Sequence, residues 1–215
     1  MELKNCKGRK SMNTILIYHQ NICSVINKID ELYMHMQIDG IAPHLFCLTE
    51  HHLKQIEINN LSLKGYKLAS VFCRKKIRGG GACILINKAL FYSTIDLNQY
   101  CHEKTLEMCA IKLHLKSFKL IVLCVYRAPT SDINLFFKQL EMILSKIVQS
   151  HGTLAVCGDL NINFLKNRNV ASKLLSLMNS HNLTQVVKFP TRKTNNEGTL
   201  IDVIFITLQN MTIYK

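Results

Sequence analysis

The stretch "LAVCGDLNINF" (residues 154–164) is apolar for four positions and then turns abruptly polar. Leu154, Ala155, Val156 and Cys157 suit a strand covered on both faces. Gly158, Asp159 and Asn161 do not continue one. A strand that carries an acid and an amide out of the core fixes its own end, while the loop beyond leaves the side chains free to act. Turn formation, with Asp and Asn bonding nearby backbone amides, is the plainer reading of the same residues.

The pattern recurs along the chain. "TILIY" (14–18), "HLFCLTE" (44–50), "GACILIN" (81–87), "CAIKLHL" (109–115), "FKLIVLCVY" (118–126), "TLAVC" (153–157) and "LIDVIFI" (200–206) are short, β-branched and apolar, hence strands. Three segments show the helical period instead. In 24–38, Val25, Ile29, Leu32 and Met36 form one stripe, with Ser24 placed to cap it. In 132–150 the apolar residues run from Ile133 to Ile147, behind Ser131 or Asp132 as a cap, and in 169–181 Val170, Leu174, Leu177 and Met178 repeat. Strands with a few long helices between them predict an α/β protein in layers, sheets inside and helices outside.

Composition narrows the class. With 215 residues, three prolines and no repeat or linker, one domain is expected. Lys and Arg number 27 against 14 Asp and Glu, a net +13, which favours a polyanionic partner because each neutralised phosphate releases counterions. The nine cysteines include no Cys-x-x-Cys pair, and five lie in apolar runs, which argues for reduced core residues and an intracellular protein. Residues 15–18 are too short for a signal core, and nothing approaches the roughly 20 apolar residues of a membrane span. A soluble protein that is not secreted is expected.

Polar residues leave the other strands as they leave 153–157. The first ends in His19-Gln20-Asn21, the second in Thr49-Glu50, and 118–126 in Tyr126-Arg127. The last carries Asp202 near its start. Glu50 and Asn21 suit Mg²⁺, a hard cation that takes oxygen ligands and keeps waters. Asp159 and Asn161 suit activation of a water, and Tyr126 and Arg127 a grip on phosphate. Metal, base and charge clamp are the parts that water attack on a phosphodiester requires. "CRKKIRGGG" (73–81) puts Arg74, Lys75, Lys76 and Arg78 beside three glycines. No Gly-Lys-Ser/Thr follows, so it is not a P-loop; it reads as a solvated hairpin loop or as a loop touching DNA phosphates. His51 and His52 lack partners at zinc spacing and read as surface residues.

Five stretches together resemble the endonuclease/exonuclease/phosphatase superfamily, and within it the apurinic-type endonuclease domain of reverse-transcriptase-associated, non-LTR retrotransposons. They are "YHQNICSVINKIDEL" (18–32), "HLFCLTEHHL" (44–53), "RGGGACILI" (78–86), "VYRAPTSD" (125–132) with "CGDLNINF" (157–164), and "FPTRKTNNEGTLIDVIF" (189–205). The resemblance implies a four-layer α/β/β/α sandwich of two packed mixed sheets with outer helices, over 14–215 behind a basic tail at 1–13. It implies Mg²⁺-dependent nicking of DNA, and a nuclear location with no membrane. By residue it implies Asn21 and Glu50 on the metal side, Tyr126 on the scissile phosphate, and Asp159 and Asn161 on the water. It makes Asp202 the acid that orients a catalytic histidine.

That histidine belongs to a closing Ser-Asp-His motif, which none of the nine histidines here matches. The expectation is a domain truncated at its C-terminus, lacking the last strand and closing loop, with impaired catalysis and Asp202 orienting nothing. Two alternatives stand beside it: a non-catalytic or vestigial nucleic-acid-binding module, and a phosphatase of the same superfamily. Cys23 stands where these retrotransposon domains carry Arg, and Ala128 where they carry Pro.

Overall fold

A computed structural model describes residues 14–116, 118–148, 152–166, 168–194 and 197–207. The basic tail at 1–13 lies outside them. Among the described residues twelve strands and four α-helices follow one another: β1 Ile17–Asn21, α1 Ile29–Asp39, β2 Leu45–Thr49, α2 Gln55–Ile58, β3 Tyr66–Phe72, β4 Ala82–Asn87, β5 Tyr92–Ile95, β6 Glu107–His114, β7 Lys119–Tyr126, α3 Ile133–Val148, β8 Thr153–Asp159, α4 Arg168–Ser180, β9 Leu183–Gln185, β10 Arg192–Thr194, β11 Glu197–Thr199 and β12 Asp202–Thr207. One sheet has the order β1-β2-β4-β3, the other β5-β6-β7-β8-β12-β9, and β10-β11 form a small hairpin. Each large sheet is mixed, with β1–β2 and β7–β8 parallel.

Three apolar clusters make the layers. Between the sheets, Cys47 and Ile84 from one meet Ile111, Val122, Cys124, Ala155 and Cys157 from the other. Outside the larger sheet, Phe136, Leu140 and Leu144 of α3 and Leu174 and Met178 of α4 cover Val156 and Phe205. Outside the smaller sheet, Leu32 and Met36 of α1 and Ile58 of α2 cover Phe46 and Leu48. A helix layer, two sheets and a second helix layer follow in that order, as expected. The strands read as unbroken apolar runs because both faces of each sheet are covered.

The helix α3 shows how local sequence sets an element. Asp132 Oδ1 accepts from the Asn134 and Leu135 N–H groups (2.8 and 3.1 Å), so Asp132 rather than Ser131 caps it. Phe136, Leu140, Ile143, Leu144 and Ile147 are then buried along one stripe, each contributing about 1.5–3 kcal/mol. The start of α1 departs from expectation. Ser24 has φ +78° and caps nothing, and the helix begins only at Ile29. The backbone N–H groups of Ile22, Ser24 and Val25 are taken by the carbonyls of Thr49, Glu50 and His51, which keeps this segment out of a helix. β3 is not among the expected strands either; a bulge between Leu68 and Ser70 breaks its alternation.

The thiols behave as apolar residues. Cys109, Cys124 and Cys157 are neighbours across β6, β7 and β8, and Cys47 faces them from the other sheet. All four are buried, and their pKa values are raised. Cys23 alone is exposed among the described cysteines.

Candidate active site

Parallel pairing sets Asn21 level with Thr49, so the ends of β1 and β2 deliver Asn21 and Glu50 side by side. β8 delivers Asp159 from the other sheet. The Asn21 amide joins them: Nδ2 donates to Glu50 Oε1 at 2.8 Å and to Asp159 Oδ2 at 2.6 Å. Its oxygen accepts from the Cys23 N–H at 3.1 Å. One side chain thus ties two carboxylates across the sandwich. Burial, and next the nearby Asp202, push the Asp159 carboxyl up to about 6, against the Asn21 amide and the Asn161 N–H, which favour its ionised form.

Tyr126 ends β7 at the level of Asp159. Burial, then the nearby Glu50 and Asp159 charges, hold the proton on its hydroxyl. Asn161 adopts φ +50°, and its N–H donates to Asp159 Oδ1 at 2.9 Å, fixing the carboxylate. Its side-chain amide donates to the Arg127 carbonyl at 2.8 Å. The strand-end acids, amides and phenol expected to act together are therefore in one place.

Two expected phosphate contacts are not on the surface. Arg127 is 4% exposed; Nε donates to the Leu160 carbonyl (2.7 Å), Nη2 to the Asn161 carbonyl (3.0 Å) and Nη1 to Ser131 Oγ (2.7 Å). Those carbonyls belong to the loop that holds Asp159 and Asn161, so the guanidinium shapes the site from behind. Arg74 is also buried, with Nε donating to Glu107 Oε1 at 2.6 Å. Both departures share a cause: a guanidinium beside buried carbonyls or a buried acid satisfies more acceptors than any other side chain. Lys75, Lys76 and Arg78 do lie on the surface. Glu103 accepts the backbone N–H groups of Lys75, Lys76 and Ile77 (2.6–3.1 Å), which leaves the two lysine side chains outside a braced turn.

Asp202 has His19 near it, beyond hydrogen-bond reach, and its Oδ1 finds no hydrogen-bond partner among the described residues. His19 Nδ1 stands 3.9 Å from Asp202 Oδ1, and the His19 side chain is only 4% exposed. Burial lowers the His19 pKa to about 4, against the pull of Asp202. The signal for this is period two: in a strand, His19 and Asn21 point to the same face. His19, Asn21 and Asp202 line a cavity of about 460 Å³ with Phe189, Thr191 and Arg192.

His51 is a second correction, for it is fully buried, not a surface residue. Nδ1 accepts the Leu53 N–H at 3.0 Å and Nε2 donates to the Phe72 carbonyl at 2.9 Å, which fixes a neutral tautomer. Gly81, at φ +92°, is required beside it, since a Cβ there would overlap the imidazole. His52 instead bonds Glu50 Oε2 at 3.1 Å. Burial lowers the His51 pKa to about 4.

These shifts predict acid lability. Between pH 6.5 and 4 the unfolded chain protonates His19 and His51 while the folded chain does not, so stability falls as pH falls. Each contributes a loss of about 3 kcal/mol. Asp159 runs the other way between about 6 and 3.8 and cancels one of them. Urea denaturation should show a net loss of about 3 kcal/mol from pH 7 to pH 4; a flat or rising profile would contradict the buried neutral imidazoles.

The carboxylate oxygens of Glu50 and Asp159 fit a hard cation, whereas Asn21 presents its NH₂ to them and its oxygen to the Cys23 N–H. Glu50 and Asp159 converge on one amide, and their mutual repulsion is what a cation would relieve. Among the described residues no three His, Cys, Asp or Glu side chains stand at metal-ligand spacing. A cation here would rest on one or two carboxylates and keep waters, the habit of Mg²⁺.

No protein-family model matches the sequence, and no curated protein matches it. Solved structures do match the fold. The endonuclease domain of TRAS1, a telomere-specific non-LTR retrotransposon, superposes with a TM-score of 0.69 at 14% identity, over 90% of this chain and 85% of that one. The AP endonuclease LMAP from Leishmania major also gives 0.69 at 14% identity, over 90% and 79%. The 3′ phosphatase NExo from Neisseria, a point variant bound to product DNA hairpin, gives 0.66 at 15% identity, over 91% and 87%.

Proposed function

We propose that this chain, which has the endonuclease/exonuclease/phosphatase fold, is a Mg²⁺-dependent phosphodiesterase that nicks DNA by attack of water. The observation that carries the reading is the Asn21 amide holding Glu50 and Asp159 together at 2.8 and 2.6 Å, with Tyr126 level with Asp159 on the next strand. Asp159 takes the proton from water, and the Asn161 N–H keeps its carboxylate turned to do so. Asn161 helps to place that water. The protonated Tyr126 hydroxyl donates to a phosphate oxygen. Glu50, joined by Asn21 once its amide turns its oxygen away from the Cys23 N–H, would hold Mg²⁺, which would polarise the phosphate and offset its charge. Asp202 and His19 stand together at the wall of the adjoining cavity.

Three things support DNA as the substrate. The net charge is +13. Lys75, Lys76 and Arg78 project from a braced loop. The proteins of like fold include a retrotransposon endonuclease domain, an AP endonuclease and a phosphatase holding a DNA hairpin.

Supercoiled plasmid incubated with the chain and Mg²⁺ should convert to the open circle, and EDTA should stop it. Uncut plasmid that is nevertheless bound, with affinity falling as salt rises, would favour the second reading, a non-catalytic nucleic-acid-binding module. The basic surface is the feature that favours it. Release of inorganic phosphate from a 3′-phosphorylated oligonucleotide without nicking would favour a phosphatase. No binding and no cleavage would overturn all three.

A further inference from the structure

Glu107 is fully buried at the start of β6, directly behind the site. A carboxylate in that position is costly unless every lone pair is engaged. Here three donors reach it at 2.6 Å each: Arg74 Nε and the Lys104 N–H on Oε1, and the Gly81 N–H on Oε2. Each donor leads to a different part of the site.

The first path runs through Gly81. Its carbonyl accepts the Glu50 N–H at 2.8 Å, and the neighbouring Gly80 carbonyl accepts the His52 N–H at 2.9 Å. Glu50 and His52 sit at φ +55° and +63°, conformations that non-glycine residues hold only when their surroundings impose them. The glycine turn is what imposes them. The second path runs through Arg74, whose guanidinium carbon lies 5.8 Å from the centre of the Tyr126 ring. Tyr126 is also the cross-strand partner of Glu107. The third runs through Lys104, whose carbonyl accepts the Ala128 N–H at 2.7 Å and so pins the chain just past Tyr126 and Arg127.

We infer that Glu107 is a positioning residue, a buried hub that sets the backbone of Glu50 and the ring of Tyr126 through Gly81, Arg74 and Lys104. It touches neither substrate nor cation. Its consequence for rate rests on the phosphodiesterase reading above; its consequence for geometry does not. Packing alone would ask only for an apolar side chain of similar volume at this position. The three charge-assisted bonds ask for a carboxylate.

Glu107→Gln keeps the shape but puts an NH₂ where an N–H donor points. It should move the backbone amide resonances of Gly81 and Glu50 and the ring resonances of Tyr126 in a ¹⁵N,¹³C-labelled sample. Arg74→Lys keeps the charge on Glu107 but removes the planar group from the ring face. It should move the Tyr126 ring and leave the Glu50 amide in place. In the nicking assay Glu107→Gln should lose about 10–100-fold in kcat with KM unchanged, the mark of misplacement without lost binding. A lowered melting temperature with Glu50 and Tyr126 resonances unmoved would overturn the hub. If Glu107→Gln does not fold, an unmoved Tyr126 ring in Arg74→Lys overturns it instead. If the wild-type chain nicks nothing, the phosphodiesterase reading falls, and the resonances alone decide the hub.

Discussion

Asp159→Asn is expected to abolish most nicking while leaving the fold as stable as before. The carboxylate is the one group at the site both buried (1% exposed) and raised into the range where it accepts a proton near neutral pH. A positioned base of this kind contributes about 10²–10⁴ in rate, so the variant should fall by that factor in single-turnover plasmid nicking. Asn keeps the volume and one oxygen can still accept from the Asn161 N–H, but its NH₂ then faces the Asn21 NH₂ and that 2.6 Å bond is lost. The change also removes a buried negative charge that stands near Asp202 and Glu50. At pH 7 the two effects oppose each other, and the melting temperature should change little. Loss of rate with stability kept is the signature of a group retained for chemistry. Nicking at the wild-type rate would remove Asp159 from the mechanism, and a lower melting temperature with unchanged nicking would make it a structural acid.

Much of this arrangement was legible in the sequence because the signals were local. Apolar runs gave β2, β4, β7 and β8 to within two residues, and the polar residues at or just past the ends of β2, β7 and β8 named Glu50, Tyr126, Asp159 and Asn161; Asn21, expected beyond a strand at 14–18, is the last residue of β1. What stayed hidden depends on register between distant strands. Nothing in "YHQN" says that β12 will bring Asp202 to His19, a contact between positions 183 apart (202 − 19). Nothing in "TEHHL" separates His51, locked between Leu53 and Phe72, from His52 on Glu50. Arg74 and Arg127 read as surface charge because arginine usually is, yet each faces a buried acceptor set that only the folded chain assembles. The three glycines at 79–81 suggested a turn; that Gly80 and Gly81 make room for Arg74 and His51 needed the tertiary contacts.

Gly158→Ala should be the most damaging single methyl in the chain. Gly158 lies in β8 with Val125 of β7 on one side and Val203 of β12 on the other. A Cβ at this position would overlap the carbonyl oxygen of Val125 and crowd its carbonyl carbon, at 2.8 Å. The obstacle is backbone in a central strand, not the end of a side chain that can swing away. β8 cannot retreat, because β12 holds its other edge through five register pairs, Asp159 with Asp202 among them. The cost should be at least about 4 kcal/mol, the range of severe steric defects, read as a fall of about 10 °C or more in melting temperature. Gly40→Ala is the matched control. Gly40 needs φ +63° but a Cβ there would meet nothing within 4 Å, so only the conformational penalty of about 1–2 kcal/mol applies. Gly158 is outside the left-handed region, so if its variant loses no more than Gly40→Ala, β7 and β8 part enough to admit the methyl and the contact with Val125 is not the obstacle. If Gly158→Ala folds with wild-type stability, the register that sets Tyr126 level with Asp159 is wrong, and the site built on that register falls with it.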